Sequence, residues 1–178
     1  MTLENGTDSQ TTGGEDAFTR GTRIGDARRI AESPCLVRES DGLREVAEAL
    51  SVQGRVHTVA VVDAAGTLVG IIPLQLLVDE LFLQVAPEEF LTDILDSERM
   101  EEYGRLVRAH SAAELMQTPV FVTVDDTIGD AFALMHDHEL EGLPVVDQDL
   151  RPIGYLDRLE LIRVWLQGHP PASAGSPS

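Results

Sequence analysis

The chain repeats itself. Placing Asp26 over Ser111 aligns "DARRIAESPCLVRESDGLREVAEAL" with "SAAELMQTPVFVTVDDTIGDAFALM" without a gap, and Ala27/Ala112, Pro34/Pro119, Val37/Val122 and Asp41/Asp126 coincide. Removing one residue from the following loop aligns Val61-Val62-Asp63 with Val145-Val146-Asp147, and Gly70 with Gly154. Self-similarity of this kind means that one supersecondary unit occurs twice, each leaving apolar surface for the other to cover. That requirement limits the fold more than any local propensity does.

Both copies read as the same elements. A short helix is expected from Asp26 or Ser111, with Ser111 and Glu114 forming a capping box. Ser33-Pro34 or Thr118-Pro119 ends it, because proline disfavours a helical residue before it. A strand at 35–38 or 120–124 follows, and Asp41 or Asp126 is expected to cap the next helix. That helix carries Leu43, Val46, Ala47 and Leu50, or Ile128, Ala131, Phe132 and Met135, at i, i+3, i+4 and i+7, which is one apolar stripe. A valine-rich strand at 59–62 or 143–146 then forms a hairpin with 68–72 or 153–156, and a last helix closes the unit. Strand–helix–strand implies a right-handed parallel crossover, and the hairpin adds an antiparallel neighbour. The expected fold class is therefore α/β (α+β): two β-α-β-β-α repeats packed sheet to sheet about a pseudo-two-fold axis.

The expected organisation is a disordered tail at 1–19, repeat 1 at 20–86, a helical connector at 87–110, repeat 2 at 111–167 and a disordered tail at 168–178. Repeat 1 ends in an apolar helix, "LQLLVDELFLQVA" (74–86), whose polar positions are too few for a single packing contact. It is too short to span a bilayer, so a protein partner is expected, and a homodimer. The connector places Met100, Tyr103, Leu106 and Val107 on one helical face.

Charge excludes some partners. The net charge is −18, and all 13 basic residues are arginine. Such a chain repels nucleic-acid phosphates and anionic membranes, so neither nucleic acid nor membrane insertion is expected. The N-terminus lacks the basic start and apolar run of a signal peptide, which implies a cytoplasmic protein. Cys35, the single cysteine, has no disulfide partner or zinc pattern and is expected to be a buried thiol. His136, Asp137 and His138 fall at a helix C-terminus, where the dipole favours histidine, and lack the companion ligands of a metal site. No nucleophilic triad or phosphate-cradling glycine loop is present, so no catalysis is expected.

The second copy, "AAELMQTPVFVTVDDTIGDAFALMHDHELEGLPVVDQDLRPIGYLDRLELI", resembles a cystathionine-β-synthase (CBS) domain. The Met-x-Thr-Pro entry, the "GLPVVD" strand and the glycine opening the last strand carry the likeness. With the first copy aligned to it, the chain resembles a tandem CBS pair, or Bateman module. That resemblance implies a non-enzymatic regulatory module that requires no cofactor, binds adenosine-containing ligands between its copies and often pairs into a disc-shaped dimer. With no effector domain in the sequence, it implies a stand-alone sensor that biases a further protein, of unknown identity, or its own assembly.

The family's ligand motif runs from glycine to a hydroxyl residue three positions on, which touches phosphate, and to an aspartate three later, which accepts from ribose hydroxyls. The second copy reads Gly154, Asp157 and Glu160; the first reads Gly70, Pro73 and Leu76. By resemblance, Glu160 serves the ribose diol with charged hydrogen bonds, while Asp157 sets a negative charge where phosphate would lie. The implied ligand is AMP, ADP, ATP, adenosine or S-adenosylmethionine, the weakly charged members suiting Asp157 best, or a phosphate bridged to these carboxylates by Mg²⁺. Thr118, Pro119, Val120, Leu143 and Pro144 line the base pocket by the same resemblance. The residues also admit plainer roles: strand ends in a core, and for Asp157 and Glu160 the N-cap and third position of the last helix. A ligand-free scaffold for oligomerisation or docking, and an acidic Mg²⁺-responsive module, are the competing functions.

Overall fold

The computed structural model describes residues 20–26, 33–85 and 109–168. Repeat 1 contains β1 (Leu36–Arg38), α1 (Leu43–Val52), β2 (Thr58–Val62), β3 (Leu68–Pro73) and α2 (Leu74–Val85). Repeat 2 contains α3 (Ala112–Leu115), β4 (Val122–Thr123), α4 (Ile128–Asp137), β5 (Gly142–Val146), β6 (Pro152–Asp157) and α5 (Arg158–Gly168). The expected tails (except Gly168, which ends α5), the helix beyond Asp26 and the connector (except Ala109 and His110) lie outside the described residues.

Each repeat builds a three-stranded sheet, ordered β1-β2-β3 or β4-β5-β6. The first pair is parallel and the second antiparallel, as the crossover and hairpin require. The hairpins match in detail. Both shift register at the same point, between Val61 and Val62 or Val145 and Val146. Asp63 accepts from the amides of Ala65 and Thr67, and Asp147 from those of Asp149 and Arg151. Both turns need a left-handed residue: Gly66 supplies it in repeat 1, at φ 85°, whereas Leu150 is held there in repeat 2, at φ 58°.

Three expected caps are corrected. Asp41 and Asp126 each stand one residue before the N-cap, so they tie the strand-to-helix turn instead. Their carboxylates accept from the Arg38 amide at 2.8 Å and the Thr123 amide at 2.6 Å. Gly42 precedes α1 without a side-chain cap, while Thr127 and Asp130 form a reciprocal capping box at α4. Ser111 makes no side-chain cap, because Glu114 reaches past it to the His110 amide, at 2.6 Å.

β2 and β5 are buried along their whole length, since helices cover one face and the other repeat covers the second. Val59, Val61 and Ile72 pack with Val46, Leu50 and Leu77 in the core of repeat 1. Ala60 and Ile71 project the other way, into the cluster of Leu143, Val145 and Leu156, and Tyr155 of repeat 2 enters the repeat 1 core.

The entry segments are exchanged between repeats, which corrects their expected place in their own units. Ile24 is fully buried in the repeat 2 core, its amide donating to Asp126 O at 2.8 Å and that of Gly25 to Val124 O at 2.9 Å. In return Ala109, Ala112 and Leu115 complete the repeat 1 core, with Ala112 N–H on Asp41 O at 2.8 Å and Ala113 N–H on Glu39 O at 2.9 Å.

Candidate functional site

The exchange determines what meets at the seam. Ile71 of β3 and Gln117, just before β4, swap backbone hydrogen bonds of 3.1 and 2.9 Å. This draws the extended stretch 117–121, kept out of helix by Pro119, against the β3 edge of the repeat 1 sheet. A cavity of about 420 Å³ opens there, lined by Ile71, Gln117, Thr118, Pro119, Val120, Phe121, Leu134, His138 and Leu140.

A second cavity, of about 510 Å³, shares Gln117, His138 and Leu140 with the first and continues along the start of α2. Its wall adds Pro73, Leu74, Gln75, Leu76, Val78 and Asp79 from repeat 1, with His57, Glu139 and Glu141. Glu139 adopts φ 54°, and Leu140 N–H closes the helix end on Met135 O at 2.9 Å. That reversal turns Leu140 inward, to 4% exposure, and leaves Glu139 at the mouth. The crevice therefore has an apolar end and a polar, acidic end.

Of the residues expected to bind a ligand, Thr118, Pro119 and Val120 line the first cavity. Leu143 and Pro144 are buried within β5 and line neither cavity. Asp157 and Glu160, at 3% and 9% exposure, also line neither. Asp157 caps α5, accepting from the Glu160 amide at 2.7 Å, and the Glu160 carboxylate forms an ion pair with Arg163. Arg158 bonds Leu140 O at 3.1 Å and Met135 O at 3.2 Å, closing the C-terminus of α4, and stands 3.5 Å from Glu141.

The described cavities thus gather Thr118, Pro119 and Val120 without Asp157 and Glu160. Pro73 and Leu76, the repeat 1 counterparts of that acidic pair, stand in the crevice with Thr118 instead. This crevice combines the entry of repeat 2 with the exit of repeat 1. By the alignment of the copies, Asp157, Glu160 and Gln53 are the counterparts of Pro73, Leu76 and His138, which assigns them to the opposite junction. Gln53 Oε1 is buried without a hydrogen-bond partner among the described residues.

His57, Gln75, Asp79, Gln117, Glu139 and Glu141 carry no site signal in the sequence, and His138 is expected there only as a helix C-terminal residue, because spacing along the chain does not reveal a crossing in space. His138 had one signal, its place directly before the loop to β5. Next to His57, the Tyr155 hydroxyl accepts from the His57 amide at 3.0 Å. Burial pushes its pKa up to about 12 against the opposing hydrogen bonds from His57 and Thr58. Burial also raises the Cys35 thiol, as suits an inert core cysteine. Among the described residues, no three His, Cys, Asp or Glu converge to hold a metal ion, and no helix is long and apolar enough to cross a membrane.

Comparison with curated proteins gives no match. Among solved structures, a CBS domain-containing protein from Thermotoga maritima is 25% identical, with a TM-score of 0.64 over 81% of this chain and 94% of its own. CBSX2 in complex with AMP is 25% identical, with a TM-score of 0.60 over 83% of this chain and 98% of its own; CBSX2 comes from Arabidopsis thaliana. The CBS domain of a membrane protein from Sphaerobacter thermophilus is 26% identical, with a TM-score of 0.53 over 83% and 90%. The CBS domain family model matches residues 27–83 and again 112–166, one match on each half of the duplication, and the chain belongs to the CBS domain family as a tandem pair.

Proposed function

We propose that the protein is a non-catalytic regulatory module that binds an adenosine-containing ligand in the seam crevice and passes its occupancy to a partner protein or to its own assembly. The observation that carries this reading is the crevice itself, where stretch 117–121 of repeat 2 meets the start of α2 from repeat 1. Its apolar end suits a planar base and its polar end a ribose, within the ~300–1,000 Å³ usual for small-molecule sites. CBSX2, similar over most of the chain, was crystallised with AMP.

The module acts as a cytoplasmic homodimer in this reading. Val78 and Phe82 on α2, and their counterparts Ile162 and Leu166 on α5 with Leu159, are half exposed. Two apolar faces related by the internal pseudo-two-fold axis fit the self-complementary pairing of a second copy. Phe82→Glu should give a monomer by sedimentation.

One observation favours the rival, a scaffold that has lost its ligand: Pro73 and Leu76 carry no ribose or phosphate contacts, and Asp157 and Glu160 serve a cap and an ion pair. Thermal melts with adenosine, AMP, ADP, ATP and S-adenosylmethionine, each with and without Mg²⁺, separate the readings. A ligand at 100 times its Kd stabilises the fold by about 2.7 kcal/mol. Val120→Trp, which fills the cavity, should abolish the shift while Glu160→Ala keeps it; the reverse result would move the site to the opposite junction. A silent panel means a scaffold, and a response to Mg²⁺ alone an ion sensor.

A further inference from the structure

We infer that the seam crevice selects its ligand by charge, taking adenosine derivatives whose 5′ group is neutral or cationic and rejecting those that carry phosphate. This rests on the adenosine reading above. With the base in the apolar cavity beside Val120 and Phe121, the 5′ end of a nucleoside extends past the shared Gln117 and His138 into the second cavity. That cavity is lined by Asp79, Glu139 and Glu141.

The opposing charges are few. Among the described residues no arginine lines either cavity, and the chain contains no lysine. Arg158 faces Glu141 at 3.5 Å but is held on the carbonyls of Leu140 and Met135. Asp79 and Glu139 have no ion-pair partner among the described residues. His57 and His138 line the cavity as titratable groups.

The first turn of α2 also opens here, and a helix N-terminus attracts anions with about half a positive charge. Pro73 has no N–H, however, and the Leu74 amide is already bonded to His57 O at 2.8 Å. The Asp79 and Glu139 carboxylates, without an ion-pair partner among the described residues, outweigh what remains. A phosphate in this cavity would meet net repulsion, while a sulfonium or ammonium group would meet attraction.

Calorimetric titration of the full chain carrying Glu160→Ala, to silence the opposite junction, tests this with adenosine, S-adenosylmethionine, AMP and ATP. Adenosine and S-adenosylmethionine should bind about tenfold or more tightly than AMP, and ATP more weakly still, with the gap widening at low salt. Asp79→Asn with Glu139→Gln should raise AMP affinity about tenfold and leave adenosine within about twofold. AMP binding as tightly as adenosine, or a ratio unmoved by the double substitution, overturns charge selection and leaves the adenosine site standing. A protein that takes none of the four probes overturns the adenosine reading as well.

Discussion

Tyr155→Phe should change the pH dependence of stability in a way that can be worked out in advance. The Tyr155 ring is 2% exposed, its hydroxyl accepts from the His57 amide at 3.0 Å, and its pKa is pushed up to about 12 from the ordinary 10.0. Between these two values the unfolded chain releases the phenolic proton while the native protein keeps it. The unfolded state then binds fewer protons, so stability falls as pH rises, by about 1.4 kcal/mol per unit. The contribution is intact below about pH 10, and about 2–3 kcal/mol is gone once the pH has risen through the folded value.

The composition makes this limb unusually clean. Without lysine, only Cys35, Tyr103 and Tyr155 titrate among side chains above about pH 8, since arginine stays charged. At neutral pH, Tyr155→Phe should cost about 1–3 kcal/mol, because the His57 amide loses its acceptor. Cys35 contributes equally to both proteins and cancels in the difference. Urea unfolding followed by circular dichroism, in steps from about pH 8 to about pH 12, should therefore show the gap between wild type and variant closing. Parallel curves would refute the assignment of Tyr155 as a neutral, buried hydroxyl.

Ile24→Ala should destabilise the protein by about 2–5 kcal/mol in denaturant unfolding, as for any core isoleucine, although Ile24 precedes every strand of repeat 1. A loss under about 0.5 kcal/mol would mean that the exchanged segment is not part of the core. Leu150→Gly should stabilise by about 0.5–1 kcal/mol, because a left-handed leucine costs more than the added chain entropy of glycine; Gly66 already occupies the equivalent turn position. Thr127→Ala should raise the Asp130 titration measured by NMR, because hydrogen bonds from the Thr127 hydroxyl and amide hold that carboxyl below its ordinary value. That contribution is present above the ordinary carboxylate pKa and is lost as pH falls, so the variant's acid limb should be flatter.

The duplication made strand order and direction legible in the sequence, because periodicity and turn chemistry are local. Val59 to Val62 read as a buried strand from their β-branched run, and Asp63 and Asp147 marked the hairpin turns. What was not legible is anything that depends on which copy a segment packs against. Ile24 and Leu115 look like residues of their own repeats, and nothing in their spacing says otherwise. The candidate site suffered from the same blindness. Thr118 lines the crevice and Glu160 of the same copy does not, so a motif carried over within one repeat does not name the lining of this cavity. The cap assignments missed by one position, since an aspartate beside a helix start can serve the turn or the helix with equal chemistry. Only the competing donors, the amides of Arg38 and Thr123, decide between them.

The exchange of Ile24 for Leu115 bears on how such a chain arose. A lone half, freed from its twin, would carry an arm with no groove to fill and a groove with no arm to fill it. Two identical halves could settle that only by trading arms, as domain-swapped dimers do. Joining them end to end keeps the trade within one molecule, so expressing either half separately should yield a swapped homodimer or an aggregate, and the two halves mixed should recover the native pair.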